Sequence, residues 1–412
     1  MRDKVSIALA GIGGYGNSYL QELLGAAERS GQLIACVDPK SQRCTGYEEL
    51  QARRIPIFPD LPSLYESITP DLLVIASPLH LHAEQTCFAL ERGSHVLCEK
   101  PMSATPHESQ QMIAAQHRSG KLLAIGYQWS FAPGVHRLKS EIAAGRFGRP
   151  VRLSTSVCWP RGEKYYTRNN WAGRQKMEDG AWVFDSPVNN ACAHYIQNML
   201  YLLGDEPNTS DWPVTVLAEL YRAHRIENYD TAMIRCKTRR QAELLFYVSH
   251  ATQEHVDPVL RYEFEGAIIT SGIETGGRIA AKLRDGTVID YGRQPDGNHL
   301  DKLWQTVQSI QNGTPSACGP AAAAPQTAFM YAAQQSPPQI KEFPPSEIVT
   351  VGEIGDRATF VRGLQDVMDR CFYESKLPAE LGIPWARPGR TVIIRDLENY
   401  QVSPDALQGQ RP

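Results

Sequence analysis

Gly11, Ile12, Gly13, Gly14, Tyr15 and Gly16 place glycines in a GxGxxG spacing, a pattern able to cradle phosphate. The first glycine permits a tight turn. The second lets backbone amides approach a pyrophosphate, and the third lets a helix pack closely on a strand. A helix opening at this point adds partial positive charge from its N-terminus. By itself the spacing is weak evidence, but its context is specific: an apolar run at 5–10 precedes it and a helical pattern at 19–28 follows. Asp38 stands at the end of the next apolar run, 22 residues after Gly16. A carboxylate there accepts hydrogen bonds from ribose hydroxyls and repels a 2′-phosphate. These residues point to bound NAD, with Lys40 and Arg43 leaving NADP as the alternative.

Other chemistries find little support. His80 and His82 lie two apart, but no third ligand with metal-site spacing accompanies them, so no metal is expected. There is no HExxH pattern and no GxSxG elbow for a nucleophilic serine. The nine cysteines are scattered, odd in number and without a CxxC pair, as in a reduced, cytoplasmic protein. A formal net charge of −3 lacks the basic excess that a phosphate backbone demands, so nucleic acid is not an expected partner. No apolar run approaches the roughly 20 residues of a membrane span, and no leader pattern opens the chain. A membrane is therefore not an expected partner either.

The elements that must position these residues follow from periodicity. Short apolar strands at 5–10, 33–37, 72–76, 94–98 and 122–126 alternate with helical patterns at 19–28, 63–68, 82–92 and 107–119. Strands this short and apolar, each followed by a helix, predict a doubly wound parallel sheet, an α/β Rossmann domain over residues 1–126. Beyond 127 the rhythm changes to longer alternating strands at 151–157, 214–220, 232–236, 242–249 and 261–265. They predict an α+β domain over 127–412, with a large, mostly antiparallel open sheet that keeps one wet face. Helices are expected at 187–203, 298–312 and 358–374, and a last strand at 391–395. The alanines at 321–324 form a low-complexity patch too short to carry weight. With 412 residues, 42% of them hydrophobic and 21% charged, two domains are the natural division.

Three further segments carry a family resemblance. Ser77, Pro78, His80, His82 and Glu84 resemble the loop after the fourth strand in the Gfo/Idh/MocA oxidoreductases, the family of glucose–fructose oxidoreductase and inositol dehydrogenase. Glu99, Lys100 and Pro101 are similar to that family's EKP motif, and the stretch from Gly126 through Gln128 to Pro133 resembles its lead into the second domain. The resemblance implies oxidation of a hydroxyl, or reduction of a ketone, on a sugar, cyclitol or similar polyol. It implies a homodimer or homotetramer built on the second sheet. It also adds Ser77, Pro78, His82, Glu99, Lys100 and Gln128 to the glycine-loop residues and Asp38 as cofactor contacts.

In the resemblance Lys100 is catalytic. A lysine at the carboxyl end of a parallel strand points into the ligand crevice, and partial burial there lowers an ammonium pKa so that it relays a proton. The family's DxGxH-type stretch is altered to Asp185, Ser186, Pro187, Asn189, Asn190 and His194. Ser186 suits an N-cap and Pro187 a first helical position, so that Asn190, His194 and Gln197 would share one helix face. His194 keeps the histidine's place, Asn190 stands for an aspartate, and Asp185 is the alternative carboxylate. Either Lys100 or His194 would be the general base.

Between these motifs run Tyr165, Tyr166, Arg168, Asn169, Trp171 and Arg174. Aromatic rings stack on sugar faces, while arginine and asparagine donate to hydroxyls or to an anionic group. Tyr166, Arg168, Asn169, Trp171, Arg174 and His194 are the candidate substrate contacts, with His250 and His255 as further lining. Two other functions stay open. One is an NAD-recycling glycosidase, with Tyr165, Tyr166 or His194 as ring base and Arg168 and Arg174 gripping an acidic sugar. The other is a dinucleotide-binding regulator without catalysis.

Overall fold

A computed structural model describes residues 4–26, 29–293 and 298–394. Six strands form a parallel sheet: β1 (Val5–Ala10), β2 (Gly31–Val37), β3 (Ile57–Phe58), β4 (Leu72–Ile75), β5 (His95–Cys98) and β6 (Leu123–Ile125), in the order β3-β2-β1-β4-β5-β6. Helices α1 (Gly16–Gly25), α2 (Tyr47–Ala52), α3 (Leu61–Ser67), α4 (His82–Glu91) and α5 (Pro106–Ser119) wind on both faces. β4 is buried at all four positions, as a strand covered on both sides must be. Local signals set the helix ends. Around α5, Thr105 and Glu108 form a capping box, Pro106 takes the first turn, and Gly120 closes the helix at φ 65°. The first expected helix falls partly outside the described residues, at its end Glu28.

After α6 (Pro133–Ala143) the chain builds a second sheet from β7 (Pro150–Cys158), β8 (Pro213–Arg222), β9 (Thr231–Thr238), β10 (Glu243–Ser249), β11 (Val256–Phe264), β12 (Ala267–Ser271), β13 (Arg278–Leu283) and β14 (Val288–Arg293), with α7 (Glu163–Thr167) and α8 (Ala193–Leu202) inserted. The remaining elements are α9 (Asp301–Asn312), α10 (Pro320–Gln335), β15 (Lys341–Glu342), the hairpin β16 (Ile348–Val351) and β17 (Ala358–Val361), α11 (Leu364–Glu374) and β18 (Val392–Ile393). The sheet order is β14-β13-β12-β11-β7-β10-β9-β8-β15, with β18 on β8. Its pairs are antiparallel except β7 with β10 and β8 with β15.

Four expectations are corrected. The second sheet does not keep one wet face: Tyr221, Met233, Leu245 and Tyr247 are covered by Leu364, Met368, Cys371 and Phe372 of α11. The stretch expected as a helix at 358–374 is split by Gly363 (φ 66°) into β17 and α11. The alanine patch is part of α10, whose small, fully buried residues let it lie close against α5, α8 and β8. α8 begins at 193, not 187, because Asn189 and Asn190 spend their amides on other backbone and side-chain groups, which competes with helical bonding. The last strand is seen at Val392–Ile393; Arg395, its expected end, lies outside the described residues.

α9 returns to the first sheet. Its Leu300-to-Val307 face packs with Val5, Ile7, Leu20, Leu33 and Leu97 in one core. A second core runs continuously from β4 and α5 through α8 into α10. The carboxyl ends of the first sheet are thereby held firmly against the segment around Asn190.

Candidate active site

The glycine loop has the geometry its spacing predicts. Gly11 adopts φ 84°, and a Cβ there would sit 2.8 Å from the Ala76 carbonyl carbon. A Cβ on Gly16 would lie 1.9 Å from the Gly11 oxygen. By contrast, a side chain at Gly14 would meet nothing within 4 Å, and at Gly13 only the Cys44 sulfur at 3.5 Å. The bare backbone at 13 and 14 is thus open on the ligand side, just ahead of a helix with no acidic residue in its first turn. This surface fits a pyrophosphate. Asp38 Oδ2 accepts from the Ile12 amide (3.1 Å) and Oδ1 from the Lys40 amide (2.8 Å). The carboxylate therefore ties the two cofactor loops together and retains lone pairs for ribose hydroxyls.

Lys100 emerges just after β5, through a cis Lys100–Pro101 bond. Its Nζ donates to Asn190 O (3.0 Å) and Oδ1 (2.9 Å). Asn190 Nδ2 donates in turn to Asp185 Oδ1 (2.8 Å), and Asp185 Oδ2 accepts from the Gly173 amide (2.7 Å). The first sheet, the turn before α8 and the 165–174 segment thus meet in one chain of hydrogen bonds. Burial lowers the Lys100 pKa below its usual 10.5, with the nearby Lys302 ammonium adding to the effect against Glu99 and Asp185. Burial raises the Asp185 carboxyl. His194 lies edge-on to Tyr127, ring centroids 5.8 Å apart, and its buried Nδ1 has no partner. Burial, then the fields of Lys100 and Lys302, hold its pKa well below 6.5, so it stays neutral.

Several residues expected as contacts also bond to groups of the protein. His82 is fully buried with Nδ1 2.8 Å from Pro101 O and Nε2 3.1 Å from Ser77 O, so its one ring N–H donates to backbone. The Ser77 hydroxyl donates to Gln85 (2.6 Å). The Glu99 carboxylate is also turned inward, to Lys302, the Tyr19 hydroxyl (2.7 Å) and the Lys100 amide (3.1 Å). Asn190 lies in a turn and not on the α8 face, while Gln197 is buried against Ser130 (2.9 Å). Ser186 caps that turn, accepting from the Asn189 amide (3.2 Å), instead of α8.

In the 165–174 segment, Tyr166 meets Tyr165 edge-on, ring centroids 5.1 Å apart, with its hydroxyl 3.3 Å from His250 Nδ1, and lines the same cavity as Arg174. Asn169 Oδ1 holds the amides of Trp171 (3.1 Å) and Ala172 (2.8 Å) in a turn. Arg174 lines a separate cavity of about 890 Å³ with His224, Arg225 and Arg357, a cavity that touches neither Lys100 nor His194. Arg168 stays on the Tyr165 ring, 3.6 Å from its centroid. His250 is buried, whereas His255 is half exposed and pairs with Asp257 (3.0 Å). Gln128 and Lys302 border a small crevice at the junction of the domains.

Two residues were invisible to sequence reasoning. Lys302 of α9 carries a buried ammonium that bonds Glu99, the Tyr15 hydroxyl (3.1 Å) and Gly126 O (3.2 Å). It joins the EKP segment to the glycine loop. The only signal was a lysine among buried positions of an amphipathic helix, with nothing to name its partner. The other residue is Arg161, on the strand-end loop after β7, discussed below.

The comparisons agree with this architecture. Residues 5–127 match the profile of the oxidoreductase family with the NAD-binding Rossmann fold, and residues 135–267 match the C-terminal domain profile of the same GFO/IDH/MocA group. A D-glucoside 3-dehydrogenase of Escherichia coli K12 is 29% identical over 177 residues, 42% of this chain and 47% of that protein. An inositol 2-dehydrogenase of Rubrobacter xylanophilus is 27% identical over 208 residues, covering 50% and 54%. The chain thus spans about half the length of the curated relatives it matches. Among solved structures, the WlbA dehydrogenase from Bordetella pertussis, in complex with NADH and UDP-GlcNAcA, superposes with a TM-score of 0.66 at 20% identity, covering 80% of this chain and 97% of that one. An aldose-aldose oxidoreductase from Caulobacter crescentus, complexed with glycerol, gives 0.63 at 19%, covering 81% and 98%. These two likenesses concern the fold.

Proposed function

Since the chain belongs to the Gfo/Idh/MocA oxidoreductase family, we propose that it transfers hydride between NAD and a secondary hydroxyl or ketone of a sugar, glycoside or cyclitol. The observation that carries this reading is the hydrogen-bonded chain Lys100–Asn190–Asp185 at the end of β5, beside the glycine loop's sheet. In this reading residues 1–126 hold the nucleotide and 127–412 the substrate.

A bound pyridine nucleotide supplies the hydride acceptor. The residues of this chain handle the proton. In oxidation, the free amine of Lys100 would take the proton of the reacting hydroxyl and become an ammonium. Two oxygens of Asn190 receive that ammonium. Burial lowers the lysine pKa and so favours the free amine, the form a base requires. His194, held neutral by burial and by the fields of Lys100 and Lys302, would hold the substrate oxygen by hydrogen bond. Lys100 is therefore the base and His194 the orienting group.

Purified protein with NAD⁺ and a panel of sugars, glycosides and cyclitols should produce NADH absorbance. Lys100→Ala should lower kcat by about 10²–10⁴-fold while NADH still binds. Absence of turnover across the panel, with nucleotide bound, would overturn the reading. Cleavage of a nitrophenyl glycoside without net NADH would favour the NAD-recycling glycosidase instead.

A further inference from the structure

The loop that leaves β7 carries Arg161 in an unusual state. Its backbone is pinned: its amide donates to His250 O (3.0 Å), and its carbonyl oxygen lies 2.8 Å from His224 Nε2, whose Nδ1 lies 2.8 Å from the buried Asp230 carboxylate. Its guanidinium sits 5.1 Å from the Tyr165 ring centroid and 5.6 Å from that of Trp159. The Nε is buried without a hydrogen-bond partner, and the side chain's one short contact is a 3.4 Å bond to the neighbouring Pro160 oxygen.

Other half-buried arginines of this molecule are treated differently. Arg152 pairs with Glu243 (2.6 Å), Arg222 with Glu342 (2.8 Å), and Arg235 with Glu243 (3.0 Å) and Glu380. Among the described residues no carboxylate pairs with Arg161, nor with Arg168, which lies 3.6 Å over the same Tyr165 ring. Tyr165 thus lies beside two guanidiniums, that of the half-buried Arg161 and that of the exposed Arg168, whose Nη1 also donates to Tyr165 O. A partly desolvated cation left without a counter-charge is costly unless an anion completes it. The 165–174 segment that carries Tyr165 and Arg168 meets the Lys100 cluster through the Gly173 amide, which donates to Asp185 Oδ2 (2.7 Å), and Asp185 in turn accepts from Asn190 (2.8 Å). Buried His250, whose Nε2 is also unpartnered, adds a polar group beside Arg161.

We propose that Arg161, with Arg168, forms a carboxylate anchor beside Tyr165, so that the substrate is an acidic sugar of the uronate class rather than a neutral one. Planar, bidentate pairing with a carboxylate is the contact a guanidinium makes best. The identification of the reacting hydroxyl's carrier as a sugar rests on the hydride-transfer reading above; the anchor itself does not.

The test uses the intact protein with NAD⁺ and a matched pair, methyl glucuronide and methyl glucoside. The wild type should show kcat/KM at least tenfold higher for the uronate. Arg161→Gln should lower that ratio at least tenfold, chiefly through KM for the uronate; Arg168→Gln should lower it less, and Arg161→Lys should restore part of it. NADH fluorescence reports that each variant is folded. Calorimetric titration of glucuronate into the NADH complex separates the two claims. Uronate binding that Arg161→Gln abolishes, without turnover of any sugar, would sink hydride transfer and leave the anchor standing. Equal turnover of both glycosides, unchanged by Arg161→Gln, would overturn the anchor and leave hydride transfer in place.

Discussion

Lys100 is held by amide oxygens, not by a carboxylate, and that choice of partner sets its protonation. A carboxylate at hydrogen-bond distance stabilises an ammonium far more than an amide does. With Asn190 at 2.9 Å, the fields of Glu99 and Asp185 do not make good the charge that burial disfavours. Oxidation should therefore rise with pH through a midpoint below 10.5, the ordinary lysine value. Asn190→Asp places a carboxylate against the ammonium and should move that midpoint upward by about 1–3 units, which a pH profile of kcat/KM reads directly. A midpoint unmoved in this variant would show that another group titrates. Asp38 acts on a different ligand. Asp38→Ser should release the Ile12 amide and lessen repulsion of a 2′-phosphate, so the kcat/KM ratio for NADP⁺ over NAD⁺ should rise.

Element-scale predictions concern how helices and strands are locked around the site. α9 drives Lys302 into the protein, where it neutralises Glu99 and touches the glycine loop. Lys302→Met strands a buried carboxylate and should cost about 3–5 kcal/mol in urea unfolding, whereas adding Glu99→Gln should recover much of it. A double variant no more stable than the single would mean the pair is not coupled. At the end of β10, His250 is buried and neutral; burial, with the Arg161 field, pulls its pKa to about 3. The unfolded chain binds a proton there below about 6.5 and the folded one does not, so this group subtracts stability progressively as pH falls from about 6.5 to 3. The loss is on the order of 4–5 kcal/mol across that window. Acid unfolding of His250→Gln should therefore begin at lower pH than that of the wild type.

At the scale of the whole molecule, α11 and the β16–β17 hairpin occupy the middle of a sheet face that the periodicity predicted to be wet. Met368 and Phe372 are buried there against Leu245 and Tyr247. Met368→Ala should cost about 2–5 kcal/mol, measured by urea unfolding, even though the residue is remote from the site. A loss below about 1 kcal/mol would show that this cover is loosely applied. The helical pattern of α11 was visible, but its docking partner was not. The alternation of β9 and β10 has no mark that distinguishes a face met by solvent from one met by a helix more than a hundred residues later.

Local order explains what was readable beforehand. The five principal strands of the first sheet, the caps of α5 and the glycine turn depend on neighbours within a few residues, so composition and spacing alone determined them. Lys100 and His194 could be singled out for the same reason, through short motifs. Contacts across the fold were another matter: the inward turn of Glu99 to Lys302, the bond of His82 to Pro101 and the approach of the Tyr166 hydroxyl to His250 join residues separated by up to 203 positions. Which polar group meets which in a dry interior is decided by packing of whole sheets and helices, because desolvation makes each buried charge answer to neighbours brought near only by tertiary folding.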